Sequence, residues 1–191
     1  MSKAELRQML QKRLFTIPPQ TRIEKSRKAC RNLLSTTQFQ NASTIMMYLS
    51  LSHETDTAEA ILSAWQLGKT VAVPKISWEQ RHMIPVVINS LETGFSTGGA
   101  LGLRNPIAGV PVPFEEIDLV VTPGLGFDKK GNRLGRGGSY YDRFFANPQL
   151  NAKKCGFAFD EQLIDAIPVN EHDVSVDFLV TDKEIVYINT N

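Results

Sequence analysis

The chain is short of cysteine, of net charge and of long apolar runs, and each shortage removes a class of protein. Its two cysteines, Cys30 and Cys155, stand far apart without a CxxC spacing, so neither a disulfide framework nor a cysteine-rich zinc site is on offer. Both read as buried thiols of a reduced compartment, and neither as a nucleophile. Twenty-one basic residues face twenty acidic ones, for a net charge of +1. No global field therefore gathers nucleic acid or an anionic membrane, and any bound anion must be held by a local cluster. No apolar run approaches the roughly 20 residues of a membrane span. The opening Met1-Ser2-Lys3-Ala4-Glu5-Leu6-Arg7 is a charged helical start with no apolar signal core. The expectation is a soluble, cytoplasmic protein without nucleic-acid or membrane partners. Internal repeats, low-complexity tracts and linker compositions are missing too, so all 191 residues are expected to form one domain.

What is present is a core. Hydrophobic residues make up 42% of the chain, ten phenylalanines among them, enough to fold without disulfides or metal. Ser2 followed by Glu5 has capping-box spacing, and Leu6, Met9, Leu10 and Leu14 recur at helical intervals, predicting a first helix that ends at Pro18 and Pro19. A second helix is expected from about Gln20 to Thr37, with Ile23, Ala29, Cys30, Leu33 and Leu34 facing inward and its basic residues forming a solvated face. Thr44 to Ser50 reads as a buried strand, Thr57 to Leu67 as a helix closed by Gly68, and Thr70 to Val73 as the next strand. Strand, helix, strand in that order implies a right-handed crossover and a parallel sheet covered on both faces, hence an α/β fold. Met83 to Ile88 is a candidate strand, whereas Glu92 to Glu116 is Gly- and Pro-rich with little periodicity. Ile117 to Thr122 restores a buried strand. Cys155 to Phe159 is another, and Asp177 to Thr181 with Ile185 to Ile188 reads as a hairpin turning at Asp182-Lys183.

The most informative segment runs Gly131-Asn132-Arg133-Leu134-Gly135-Arg136-Gly137-Gly138-Ser139-Tyr140-Tyr141-Asp142-Arg143. A glycine loop between a strand and a helix start leaves backbone N–H groups free to point at one anion. Arg133 and Arg136 could add forked donors for phosphate oxygens. The pattern is neither a Walker loop nor a GxGxxG dinucleotide fingerprint. By itself it indicates a phosphate without saying which, and a tight turn with exposed arginines is the plain alternative. Tyr140 and Tyr141 could stack on a planar ligand or pack the helix start against the sheet. Asp142 is either a partner for the helix dipole or the hard oxygen donor that Mg²⁺ prefers.

The string Pro123 to Phe144, PGLGFDKKGNRLGRGGSYYDRF, resembles the signature of the 5-formyltetrahydrofolate cyclo-ligase family, the methenyltetrahydrofolate synthetases. Lys3-x-x-Leu6-Arg7, Tyr48 to Thr57 (YLSLSHETDT), Gly68-Lys69 with Val71 to Pro74, and Pro168-x-x-x-x-Asp173 fall in family order around it. Trp78 to Pro113 is the part least like the family. The resemblance implies a three-layer α/β sandwich with a mostly parallel sheet, like that of ribose-phosphate isomerase and the CoA transferases. It implies an ATP site made of Lys3, Arg7, Arg133, Leu134, Gly135, Arg136, Gly137, Gly138, Ser139, Tyr140 and Tyr141. Arg136 to Tyr140 would also reach the folate, Leu49 and Glu54 would hold the pterin, and Asp142 and Asp173 would hold Mg²⁺. Arg136, Arg133 and Tyr140 are the expected catalytic groups. The substrate is expected to be 5-formyltetrahydrofolate, polyglutamylated or not, and the working unit a monomer. Ser139 departs from the family, which usually has glycine there. If that position needs a positive φ, a side chain is a handicap.

Without the signature, plainer readings stand for each outlying residue. Lys3 and Arg7 are then exposed helix charges, Glu54 a first-turn acid, Thr57 a surface residue, and Asp173 an ordinary loop acid beside a surface His172. In the chemistry the resemblance implies, the formyl oxygen attacks the γ-phosphate of ATP to give an N5 iminium phosphate. N10 then closes the ring and phosphate leaves. That chemistry needs positioning and charge neutralisation and no protein nucleophile. A catalytically silent relative that binds nucleotide or folate is the rival, kept open by Ser139. A sugar-phosphate isomerase or acyl-CoA transferase would need a carboxylate base or nucleophile where this loop offers arginines.

Overall fold

The computed structural model describes residues 1–99 and 102–188. Helices α1 (Lys3–Phe15), α2 (Pro19–Ser35) and α3 (Thr37–Asn41) open the chain, followed by strand β1 (Thr44–Met47), helix α4 (Ala58–Gln66), and strands β2 (Thr70–Ser77) and β3 (His82–Val87). A hairpin β4 (Phe95–Gly98) and β5 (Leu103–Pro106) follows, then β6 (Leu119–Thr122), the two-residue strands β7 (Gly126–Phe127) and β8 (Arg133–Leu134), and α5 (Tyr140–Phe145). The chain closes with β9 (Lys153–Phe157), β10 (Phe178–Val180) and β11 (Ile185–Tyr187).

Seven strands form one sheet in the order β11-β10-β9-β6-β1-β2-β3. Strands β10, β9, β6, β1 and β2 run parallel, and an antiparallel strand flanks each side. This is the α/β class the strand-helix-strand order implied. Successive residues of a strand point to opposite faces, and both faces here are apolar. Ile45, Met47, Val71, Val73, Leu119 and Val121 pack beneath α2, α3 and α4 through Cys30, Leu33, Phe39, Ile61 and Ala64. Met46, Ala72 and Val120 point the other way, onto Phe144 and Phe145 of α5. The three layers follow from that double burial.

The capping box is present: the Ser2 hydroxyl accepts the Glu5 N–H, and the Glu5 carboxylate accepts from Ser2. Leu6, Leu10 and Leu14 of α1 pack on Leu125, Leu134, Phe159 and Ile167. Each such burial contributes roughly 1.5–3 kcal/mol. Their consequence is positional, because they lay α1 against the β7–β8 hairpin. No helix among the described residues is long and apolar enough to cross a membrane.

Several sequence expectations need correction. Pro19 does not end a helix alone; it opens α2 at its first turn, where its missing N–H is no loss. Ile23 faces solvent, being 47% exposed. β1 stops at Met47, short of Ser50, and β2 runs on through Pro74 to Ser77. That extension pairs with β3 and is held on its other side by a side chain: Asn105 Oδ1 accepts the Ile76 N–H at 2.7 Å and Asn105 Nδ2 donates to Ile76 O at 3.0 Å. The segment read as irregular between Glu92 and Glu116 thus contains a hairpin fastened to β2.

Candidate active site

The first half of the glycine-rich signature is scaffolding. Asp128 is buried, and its Oδ1 accepts the N–H groups of Lys130 and Asn132, each at 3.0 Å. Its Oδ2 accepts from Asn132 Nδ2 and the Ile167 N–H, each at 2.9 Å. Gly131 completes the turn at φ 82°, with Val176 O only 2.5 Å from where a Cβ would sit. A side chain is excluded there on both counts. The turn delivers Arg133, on β8, to a fixed place.

Arg133 is buried, and its Nη2 bonds Asp142 Oδ1 at 3.0 Å. Its guanidinium lies 5.4 Å from the centre of the Tyr141 ring. Its Nε is buried with no protein acceptor among the described residues. Burial, partly opposed by the Arg133 charge, pushes the Tyr141 phenol above its ordinary range, so it stays protonated.

Beyond Leu134 the loop opens. Arg7 of α1 donates from Nε to Gly135 O at 2.9 Å, which ties the N-terminal helix to the loop. Gly137, Gly138 and Ser139 are exposed, with Gly137 at φ 104°. Ser139 has φ 51° and ψ 25°, so the position does take the left-handed conformation that disfavours a side chain, at a cost of roughly 1–2 kcal/mol. α5 then begins, and its six residues make a short helix with a weak dipole. Tyr140 meets Trp78 edge-on at 6.2 Å, and the Arg143 guanidinium lies 5.3 Å from its ring centre. Both tyrosines also pack on the apolar cluster around Phe144.

Arg136 turns toward the loop after β1. Its Nη2 bonds Glu54 Oε1 at 2.9 Å and approaches His53 Nε2 at 2.5 Å, and its Nε lies 3.3 Å from the same Glu54 oxygen. Glu54 Oε2 accepts the Leu51 N–H at 3.0 Å. Thr57, readable as a surface residue, is buried and donates to Tyr48 O at 2.6 Å, which fixes this loop. Lys3 is ion-paired with Asp173. Burial works against the Asp173 charge, yet hydrogen bonds from Lys3 and the Asn170 N–H, with the Lys3 charge, hold its carboxyl below the usual range. His172 is exposed beside Glu171.

The structure brings every residue of the expected ATP, folate and Mg²⁺ sites to one cavity of about 360 Å³: Lys3, Arg7, Leu49, Glu54, Arg133 through Tyr141, Asp142 and Asp173 all line it. Sequence reasoning missed Trp78, Met83, Leu103 and Arg104, which form its far wall, and His53, which touches Arg136. A tryptophan in a polar run was the only available signal for that wall. Cys30 and Cys155 are buried away from the cavity, and burial pushes the Cys30 thiol up to about 12 and the Cys155 thiol well above its ordinary value. Both are inert as nucleophiles. Among the described residues no cluster of three or more metal-ligating side chains forms.

The model of the 5-formyltetrahydrofolate cyclo-ligase family matches residues 1–182. The chain is 31% identical to the mouse 5-formyltetrahydrofolate cyclo-ligase over 185 residues, covering 92% of this chain and 91% of that one. It is 28% identical to the enzyme of that name from Escherichia coli strain K12 over 180 residues, or 93% and 98% of the two chains. The solution structure of Aquifex aeolicus 5,10-methenyltetrahydrofolate synthetase superposes with a TM-score of 0.85 at 27% identity, over 100% of this chain and 95% of that one. With signature, fold and full-length likeness in agreement, the chain belongs to the 5-formyltetrahydrofolate cyclo-ligase family.

Proposed function

We propose that this protein catalyses the ATP-dependent cyclisation of 5-formyltetrahydrofolate to 5,10-methenyltetrahydrofolate, releasing ADP and phosphate, with residues 1–191 acting as a single, monomeric domain. The observation that carries the reading is the 2.9 Å contact between Arg136 and Glu54. It joins a carboxylate suited to a pterin to an arginine suited to a phosphate, inside one cavity.

The pterin edge, with its 2-amino and N3–H donors, is held by Glu54 beside Leu49. A carboxylate oxygen has two lone-pair directions; Arg136 takes both on Glu54 Oε1 and the Leu51 N–H one on Oε2, so one direction on Oε2 stays open for a pterin donor. The nucleotide's phosphates lie along the exposed backbone of Gly137 to Ser139, within reach of Lys3, Arg7 and Arg133. The partnerless buried Arg133 Nε is a donor waiting for an acceptor of this kind. Tyr140 and Tyr141 wall the same space. Two cavity-lining carboxylates, Asp142 and Asp173, fit Mg²⁺, which takes one or two carboxylates and leaves its other positions to phosphate and water. The ion would supply charge neutralisation on the phosphate oxygens.

Chemically, the formyl oxygen is a weak nucleophile and, unphosphorylated, a poor leaving group. Transfer of the γ-phosphoryl group to that oxygen makes an N5 iminium phosphate. N10 then adds to the iminium carbon and loses its proton, and phosphate departs with the former formyl oxygen. Arg136 and Arg133 meet the charge that develops in transfer, and pre-aimed donors of this kind contribute most of such a rate enhancement.

The test is near-ultraviolet absorbance of the methenyl product after mixing protein, 5-formyltetrahydrofolate, Mg²⁺ and ATP, with ATP omitted as control. An ATP-dependent rise is expected. A flat trace from folded, nucleotide-binding protein would favour the second reading, a silent relative that binds nucleotide or folate. The left-handed Ser139 in the phosphate loop is the observation that keeps that second reading open.

A further inference from the structure

Arg136 is anchored in an unusual way. Both of its contacts with Glu54 fall on one oxygen, Oε1, so the pair is not the parallel two-oxygen fork that locks an arginine to a carboxylate. A guanidinium on a single oxygen can pivot. The second fixed point is His53, whose Nε2 lies 2.5 Å from Arg136 Nη2. A guanidinium has donors only. The contact therefore requires a lone pair on Nε2, which means a neutral imidazole with its proton on Nδ1.

His53 is itself held. Its ring rests against the Phe15 ring at the end of α1, with centroids 5.1 Å apart. Its loop is pinned by Thr57 to Tyr48 O at 2.6 Å, Tyr48 OH to Thr55 O at 2.5 Å, and Ser50 to Asp56 at 2.7 Å. The charged groups facing it are Arg136 from the glycine loop, Glu54 from its own loop and Arg22 from α2.

We propose that neutral His53 is a positioning residue that fixes the orientation of the Arg136 guanidinium, and that protonation of His53 releases it, so that turnover falls on the acid side of neutrality. Protonation removes the acceptor lone pair and sets two cations against each other. It also gives Glu54 a second cationic neighbour to hold. Burial first, then the Arg136 charge, with Arg22 adding and Glu54 opposing, keep the imidazole pKa below its ordinary 6.5. The release window accordingly lies below that value, and the latch is closed at neutral pH.

The turnover part of this inference rests on the cyclo-ligase reading, so the test has two arms. In the first, the pH dependence of ATP-dependent methenyl formation is compared in the wild type, His53→Gln and His53→Leu, with thermal unfolding as a check on folding. Gln places an amide oxygen where Nε2 was and does not titrate. The expected result is an acid limb in the wild type that is absent from His53→Gln. That variant should stay within about threefold of wild type near pH 8, whereas His53→Leu should lose roughly tenfold in kcat, the scale of one hydrogen bond to a charged group. A limb that persists in His53→Gln, or a His53→Leu variant as active as wild type, overturns the proposal. The second arm follows the imidazole by NMR, which is tractable with three histidines in the chain. Arg136→Leu should raise the His53 pKa by removing the facing charge; an unmoved pKa overturns the contact. If the wild type forms no product at any pH, the cyclo-ligase reading falls, and this second arm still decides the His53–Arg136 contact.

Discussion

Two arginine–carboxylate pairs sit on the same cavity and are built for different ends. Arg133 and Asp142 are joined at 3.0 Å, with side chains only 4% and 15% exposed. Arg133 reaches that place through a rigid turn organised by Asp128 and Gly131. Arg136 and Glu54 are joined at 2.9 Å, but the Arg136 side chain is 23% exposed, and the loop that carries it is tied down by side chains on either side, Arg7 at Gly135 O and Arg143 at Gly138 O. The more buried pair is fixed by the fold, and both of its members line the cavity. The looser pair can exchange a protein partner for a ligand oxygen. Position in one signature thus says little about how far a residue can move; the local hydrogen bonds decide it.

Breaking the buried pair should have the largest effect on stability. Arg133→Leu leaves the part-buried Asp142 carboxylate without its cation, and a loss of about 3 kcal/mol, the low end for a broken buried pair, is expected in chemical denaturation. A loss near 0.5 kcal/mol would mean that the pair is well solvated. Gly131→Ala attacks the turn that delivers Arg133. Its Cβ would lie 2.5 Å from a backbone oxygen that cannot turn aside, at a φ of 82°, so about 2–3 kcal/mol should be lost. At the open end of the loop, Ser139→Gly removes a side chain from a left-handed residue. It should leave stability within about 1 kcal/mol of wild type, on the stabilising side, and tighten nucleotide binding. If binding weakens, the serine hydroxyl is a ligand donor.

The pair Lys3–Asp173 gives the smallest and most conditional effect. The folded Asp173 carboxyl titrates below its ordinary 3.8, so its contribution to stability is fully present above that value and is lost as pH falls through the lower, folded one. Denaturation midpoints of Asp173→Asn and wild type should therefore converge in strong acid and separate above about pH 4. Parallel curves across that range would remove the linkage.

Legibility in the sequence followed the same division. The capping box at Ser2 and Glu5 and the buried strand Leu119–Thr122 were readable because local rules and double-sided burial leave one reading. The β4–β5 hairpin was not. Phe95–Gly98 and Leu103–Pro106 lie on the surface with mostly half-buried or exposed positions, so they carry no period-two apolar pattern to find. β2 was underestimated at Thr70 to Val73, because its extension is held by partners far along the chain, β3 on one side and the Asn105 side chain on the other. The cavity's polar wall was legible through the long signature. The far wall, Trp78 with Leu103 and Arg104, was hidden because it depends on that same hairpin. His53 could not be found from spacing, since its neighbour Arg136 is 83 residues away.

The most direct test of the difference between the two pairs is Arg136→Leu, measured for turnover and for equilibrium binding of 5-formyltetrahydrofolate on the same preparation. The expected result is a kcat lower by roughly 10²–10³, the scale of losing one pre-aimed donor in the transition state. Folate affinity should weaken far less, and the loss of stability should be smaller than for Arg133→Leu. Unchanged turnover, or a loss confined to folate binding, would contradict the assignment of Arg136 as the working arginine of this cavity.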